Sequence, residues 1–162
     1  MNTLDRDYLS VARAILLNGN KKDDRTGTGT KSLFGNFITF PMIQGFPMLT
    51  TKKVYWKGVV EELKWFLKGD VYAKTLQDKG VKIWDADAAR NGRDDTYLGP
   101  IYGHQWRKKS QYGVQKDQIK LLMEGLRSDP DSRRHLVSSW DVMELDKMVL
   151  PPCHYAFQCY VN

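Results

Sequence analysis

Cys153 lies in Leu150-Pro151-Pro152-Cys153-His154, where two prolines fix φ and remove two backbone donors. The thiol is held on a stiff, non-helical lead-in, with an imidazole beside it and the strand-like run 155–161 after it. A thiol displayed this way is a candidate nucleophile for covalent catalysis. The alternative is a small buried hydrophobe, the ordinary state of a free cysteine. Cys159 follows in the same run, and six extended residues span roughly 20 Å. A disulfide needs Cα atoms within about 7 Å, so both read as free thiols in a reducing compartment.

A pair of acids, Glu61-Glu62, falls in a helix predicted over Lys53–Lys68. At about 100° per residue, Val59, Val60, Leu63, Phe66 and Leu67 share one direction. Glu61 falls beside Lys57, Lys64 and Lys68 and reads as a surface ion-pairing residue. Glu62 falls on the other flank, next to Phe66 and between Gly58 and Gly69. Apolar surroundings desolvate a carboxylate and raise its pKa, which suits general acid–base work. A rim glutamate without a role is the other reading.

Three further groups could hold or move charge. Arg25-Thr26-Gly27-Thr28-Gly29-Thr30 combines a guanidinium, hydroxyls and two flexible glycines, a composition that grips phosphate. It lacks the GK[ST] ending of a P-loop, and a plain Gly-Thr turn into a strand fits equally. Arg133-Arg134 marks the corner between a helix and a strand. On extended backbone adjacent side chains point opposite ways, so one could contact this chain and the other a partner or ligand. Tyr102, bracketed in Gly99-Pro100-Ile101-Tyr102-Gly103, reads either as a functional-loop tyrosine or as a core tyrosine.

The elements that position these groups emerge from periodicity. Tyr8, Val11, Ala12 and Ile15 predict an amphipathic helix stopped at Asn18-Gly19. Lys21-Lys22-Asp23-Asp24 is a solvated charged loop, and alternation from Lys31 to Thr39 predicts a strand. After Gly69-Asp70 the chain reads as polar and irregular up to Leu98, broken by Ile83-Trp84-Asp85. A helix over Asp117–Ser128 carries Ile119, Leu122, Met123 and Leu126 on one face and ends before Pro130. Leu136–Trp140 and Tyr155–Val161 are the expected C-terminal strands. Helices and strands mix without a βαβ rhythm, and no GxGxxG follows a strand.

The 162 residues, 41% hydrophobic and 12% aromatic, suffice for one ordered domain. A net charge of +6 favours anionic partners, and the lysines are dispersed rather than blocked, which argues against nucleic acid. No apolar run approaches a membrane span, and the first residues carry no signal-peptide core. The expectation is a soluble cytoplasmic protein. His104, His135 and His154 show no metal-ligand spacing.

In order, these segments resemble the thymidylate synthase family. The matching pieces are Asp24-Arg25-Thr26-Gly27-Thr28-Gly29-Thr30, Thr50-Thr51-Lys52-Lys53 with Glu61-Glu62-Leu63-Lys64-Trp65-Phe66-Leu67, and Ile83-Trp84-Asp85. Leu98 to Trp106, Asp131-Ser132-Arg133-Arg134 and Pro151-Pro152-Cys153-His154 complete the set. The stretch Asp87–Tyr97 departs from the family pattern.

The resemblance implies an α+β fold, a mixed twisted β-sheet flanked by helices, with residues 1–162 a single domain that is incomplete at its C-terminus. It implies a methyltransferase that converts dUMP to dTMP with 5,10-methylenetetrahydrofolate as co-substrate and no metal. In that scheme Cys153 attacks pyrimidine C6, and Glu62 acts through ordered water. Tyr102 helps remove the C5 proton. Arg25 binds the nucleotide phosphate, with Arg133 and Arg134 reaching across a homodimer whose active sites are shared. Ile83 and Trp84 line the folate pocket and Lys52 lies near the folate tail. Two alternatives accompany it: a dUMP or dCMP hydroxymethylase of the same family, and a truncated, non-catalytic chain that associates with a complementing fragment. Neither a membrane nor a nucleic acid is required.

Overall fold

Asn2 opens the first helix by accepting the Asp5 N–H on its side-chain oxygen at 2.7 Å, the N-cap bond expected of this residue type. The computed structural model describes residues 2–24, 27–92, 94–107, 109–111 and 113–162. These group into two compact units, Met1–Tyr55 and Trp56–Asn162.

In the first unit, helix α1 spans Thr3–Asn18 and ends where the Gly19 N–H bonds Ile15 O at 2.8 Å. Strands β1 (Asn20–Lys22) and β2 (Thr30–Ser32) pair antiparallel, Asn20 opposite Ser32 and Lys22 opposite Thr30. Thus the first lysines of the expected charged loop are ladder residues, although their side chains are exposed. The strand expected over Lys31–Thr39 is paired only to Ser32. Beyond it no ladder forms among the described residues, and Gly35 at φ +76° turns the chain out of extended geometry. A single 3₁₀ turn, Met42–Gln44, comes next.

The second unit is built on aromatics. Helix α2 (Trp56–Leu67) buries Gly58, Trp65 and Phe66, and packs against α5 (Tyr102–Arg107). Between them lie α3 (Ala73–Gln77) and α4 (Asp85–Arg90), two short helices in the stretch that reads as irregular. Trp65, Leu76, Val81, Leu98 and Ile101 are at most 1% exposed and form the centre of the core. Two glycines let this core close. A Cβ on Gly103 would lie 2.3 Å from Asp70 O, and one on Gly99 would lie 2.1 Å from Lys147 O. The glycines around Tyr102 are therefore places where backbone meets backbone.

Strands β3 (Lys109–Gln111) and β4 (Val114–Lys116) form a short antiparallel pair. Helix α6 (Gln118–Ser128) begins at Asp117, whose side chain accepts the Lys120 N–H, and stops ahead of Pro130. Of its predicted face, Leu122 is buried and Ile119 and Leu126 are partly so, whereas Met123 is exposed. A 3₁₀ turn at Leu145–Lys147 precedes the proline pair. Strand β5 (Leu136–Ser138) pairs antiparallel with β6 (Ala156–Gln158), setting Val137 opposite Phe157. Gln118 ties three elements together: its amide nitrogen donates to Gln105 O and Ser138 O, both at 2.8 Å, while its oxygen accepts the Ser138 N–H at 2.9 Å.

The architecture is α+β, but the expected single mixed sheet is replaced among the described residues by three separate two-stranded antiparallel ladders. Each strand is three residues long, so alternating runs in the sequence overstate how far pairing extends. Order comes instead from side-chain packing across α2, α5, α6 and the β5–β6 pair.

Candidate active site

The chain from Leu150 to Tyr155 carries no helix or strand, as two successive prolines dictate, and Pro152 is buried while Cys153 is exposed. The Tyr102 hydroxyl oxygen holds this segment. It accepts the Cys153 N–H at 2.8 Å and the His154 N–H at 3.3 Å. The ring of Tyr102 is fixed in turn by Phe66, Trp106 and His154, at centroid distances of 4.4, 6.2 and 5.9 Å. At 3% exposure Tyr102 is a core tyrosine and a loop-holding tyrosine at once. Burial pushes its pKa up, and the two amide bonds oppose that rise.

Glu62 projects from α2 and accepts the Trp84 indole N–H at 2.8 Å. Desolvation raises its pKa; the Trp84 bond and the charge of His154 pull the other way. Its neighbour Glu61 behaves oppositely. Lys79 and Lys64, the latter at 3.3 Å, hold that carboxyl below the usual range. Two adjacent acids on one helix are thus set to different tasks by which flank they occupy.

Cys153 and Glu62 share an open groove of about 550 Å³ whose walls include Val59, Leu63, Phe66, Trp106 and Phe157, with His154 at its margin. The apolar stripe read on α2 divides here: Phe66 enters the core, whereas Val59 and Leu63, 44% and 49% exposed, face the groove. An indole–hydroxyl bond of 2.6 Å from Trp106 to buried Ser139 fixes the groove wall to the end of β5, and Phe157 packs on Trp106 at 5.4 Å. Neither Ser139 nor the groove-facing roles of Trp106 and His154 were assigned from the sequence. Only the adjacency of His154 to Cys153 hinted at them.

Among the other candidate residues of the second unit, Ile83, Trp84, Arg133 and Arg134 do not line this groove. Trp84 is 6% exposed and meets the groove through Glu62, while Ile83 beside it is 44% exposed. Arg133 and Arg134 are exposed in a turn rather than on extended backbone, so the opposite-sides argument does not hold for them. Arg134 lines a separate depression with Ser132 and His135. Lys52 is exposed in the first unit, and Arg25 lies outside the described residues. Both cysteines are free, and no group of three or more metal-ligating side chains converges among the described residues. None of the described helices is long and apolar enough to cross a membrane.

An exposed thiol and a desolvated carboxyl thus share one largely apolar groove, and the buried Tyr102 phenol holds the backbone of the thiol's segment from behind. A family model, that of thymidylate synthase, matches residues 6–162, and the chain belongs to that family of folate-dependent, methyltransferase-type enzymes.

Proposed function

We propose that the chain catalyses reductive methylation of dUMP to dTMP with 5,10-methylenetetrahydrofolate, in the cytoplasm, as a homodimer with shared sites. The observation that carries this reading is the sharing of one apolar groove by Cys153 and Glu62, with Tyr102 bonded to the Cys153 amide. Cys153 as thiolate adds to pyrimidine C6, which makes C5 nucleophilic. C5 bonds to the methylene carbon of the folate and loses its proton to solvent. The folate nitrogen is released, a hydride from the folate completes the methyl group, and the Cys153–C6 bond breaks. The products balance as dTMP and dihydrofolate.

Glu62, with its raised pKa, passes protons through water to the pyrimidine carbonyl and the folate. Tyr102 stays a phenol at neutral pH, so its help with the C5 proton is orientation of the accepting water. The flat apolar walls suit stacked heterocycles, and Trp84, held on Glu62, favours hydride transfer by keeping bulk water from that side. Arg25 takes the nucleotide phosphate, Arg133 and Arg134 serve the second subunit, and Ile83 and Lys52 contact the folate.

The test is incubation with dUMP or dCMP and methylene-labelled folate, with products separated by mass. Labelled dTMP is expected, and Cys153→Ser should lose at least roughly a thousandfold in turnover. A hydroxymethyl nucleotide would replace this reading with that of a hydroxymethylase. Absence of product from the 162-residue chain, restored on mixing with a complementing chain, would favour action by association.

A further inference from the structure

Asp5 is 1% exposed, in a unit whose other described residues are half-buried or exposed. Asn2 already caps α1, so the Asp5 side chain is free to look elsewhere. Both of its oxygens go to Thr50: one accepts the Thr50 N–H at 2.8 Å and the other accepts the Thr50 hydroxyl. A carboxylate leaves water only where donors replace the lost hydration, and two charge-assisted bonds do so here. The Thr50 hydroxyl, and then its amide, hold the Asp5 carboxyl below the usual range.

The receiving segment needs such a tie. Residues 46–55 contain neither helix nor strand. The start of α1 also borders a small cavity that Phe40, Phe46 and Met48 help to line, so the beginning of the helix is the seat of this stretch. Lys52 comes two residues after Thr50, within about 7 Å along the chain, and is exposed.

We propose that Asp5 is a positioning residue for Lys52, fixing Thr50 so that the Lys52 ammonium is presented to the carboxylate tail of the folate. This rests on the proposed contact of Lys52 with the folate. Asp5 itself is buried with its oxygens on Thr50, so it supplies order to a basic segment without standing in the path of the anion.

The test titrates the full-length protein with tetrahydrofolate carrying one or five glutamates, monitored by tryptophan fluorescence, and measures kcat in parallel. Asp5→Asn and Thr50→Val should weaken the pentaglutamate about three- to tenfold, the monoglutamate less, and leave kcat within about twofold. Thr50→Ser keeps the hydroxyl and should bind like the parent. Asp5→Asn should add nothing to Lys52→Ala, the mark of residues acting as one unit. Parallel losses in kcat and nucleotide binding, or additivity with Lys52→Ala, overturn the proposal. If Lys52→Ala weakens the pentaglutamate while the Asp5 and Thr50 variants do not, the proposal falls and the Lys52 contact stands. If Lys52→Ala has no effect, both fall. Should Asp5→Asn not fold, Thr50→Val against Thr50→Ser carries the comparison.

Discussion

Residues 56–162 hold every buried apolar side chain that the structure describes, while residues 2–55 hold a single fully buried one, the carboxylate Asp5. In the first unit Phe34, Phe37 and Ile43 are 107%, 91% and 95% exposed. The second unit owes its order to a dry interior; the first relies on helix caps, one short ladder and the Asp5–Thr50 tie. The difference is written into one carboxylate of each unit. Asp5, met by an amide and a hydroxyl, is pulled to a lower pKa, while Glu62, met by apolar walls and one indole, is pushed to a higher one. The Thr50 bonds hold the first acid as an anion against the cost of its burial, whereas desolvation outweighs the single indole bond at the second.

The largest test of this contrast is Leu98→Ala. Leu98 is 0% exposed, and its backbone bonds both Val71 O and the Val149 N–H. Loss of its side chain should cost about 2–5 kcal/mol, read in urea by tryptophan fluorescence. All five tryptophans, at 56, 65, 84, 106 and 140, lie in the second unit, so this signal reports on it alone. A cost below about 1 kcal/mol would mean the interior is looser than its burial implies. Tyr102→Phe comes next. Removing the oxygen that accepts two successive amides should cost about 1–2 kcal/mol and speed hydrogen exchange at Cys153 and His154. Unchanged protection there would deny that the phenol sets the backbone of Cys153 and His154.

The acids give a smaller effect with opposite signs. A carboxyl whose folded pKa is lowered stabilises the fold above its unfolded value, near 4, and that stability is lost as pH falls through the folded pKa. Asp5→Asn should therefore be less stable than the parent at neutral pH, with the gap closing in acid. A carboxyl with a raised pKa stabilises most below its unfolded value and loses that contribution as pH rises through the folded pKa. Glu62→Gln should be more stable than the parent at pH 7–8, again converging in acid. Thermal melts from about pH 8 down to about pH 2.5, below the unfolded carboxylate value, decide it; gaps of the same sign at neutral pH would break the contrast between the two acids.

Legibility in the sequence divides in the same way between local and tertiary causes. Helices α1 and α6 were readable because their stop signals, Asn18-Gly19 and Asp129-Pro130, and their apolar period are local. Helices α3, α4 and α5 run five or six residues, too short to show a period, and persist through packing that the sequence does not spell out. Strand lengths were overstated because alternation marks a side-chain pattern, whereas a ladder also needs a partner. At the groove, the helical wheel set Glu62 on the flank beside Phe66, and its carboxyl is desolvated as that flank suggests. The Trp84–Glu62 and Tyr102–Cys153 bonds span 22 and 51 positions and have no local signature. The opposite fates of Val59 and Phe66 were likewise invisible, because an apolar stripe looks alike whether it faces a core or a groove.

The smallest effect belongs to the first unit. Phe37 is 91% exposed on a stretch without a ladder, so folding removes little of its surface from water. Phe37→Ser should change stability by no more than about 0.5 kcal/mol, against several for Leu98→Ala. Because no tryptophan lies in residues 2–55, the readout is far-ultraviolet circular dichroism of α1 together with amide exchange across 20–40. A loss comparable to that of Leu98→Ala, appearing at any protein concentration, would show that these residues build an apolar interior of their own. A loss that appears only at high protein concentration and vanishes on dilution would place Phe37 at a contact between molecules, since association stabilises by mass action and a private core does not. With neither loss, the order of residues 2–55 rests on polar ties, and among the described residues Asp5–Thr50 takes a charge out of water.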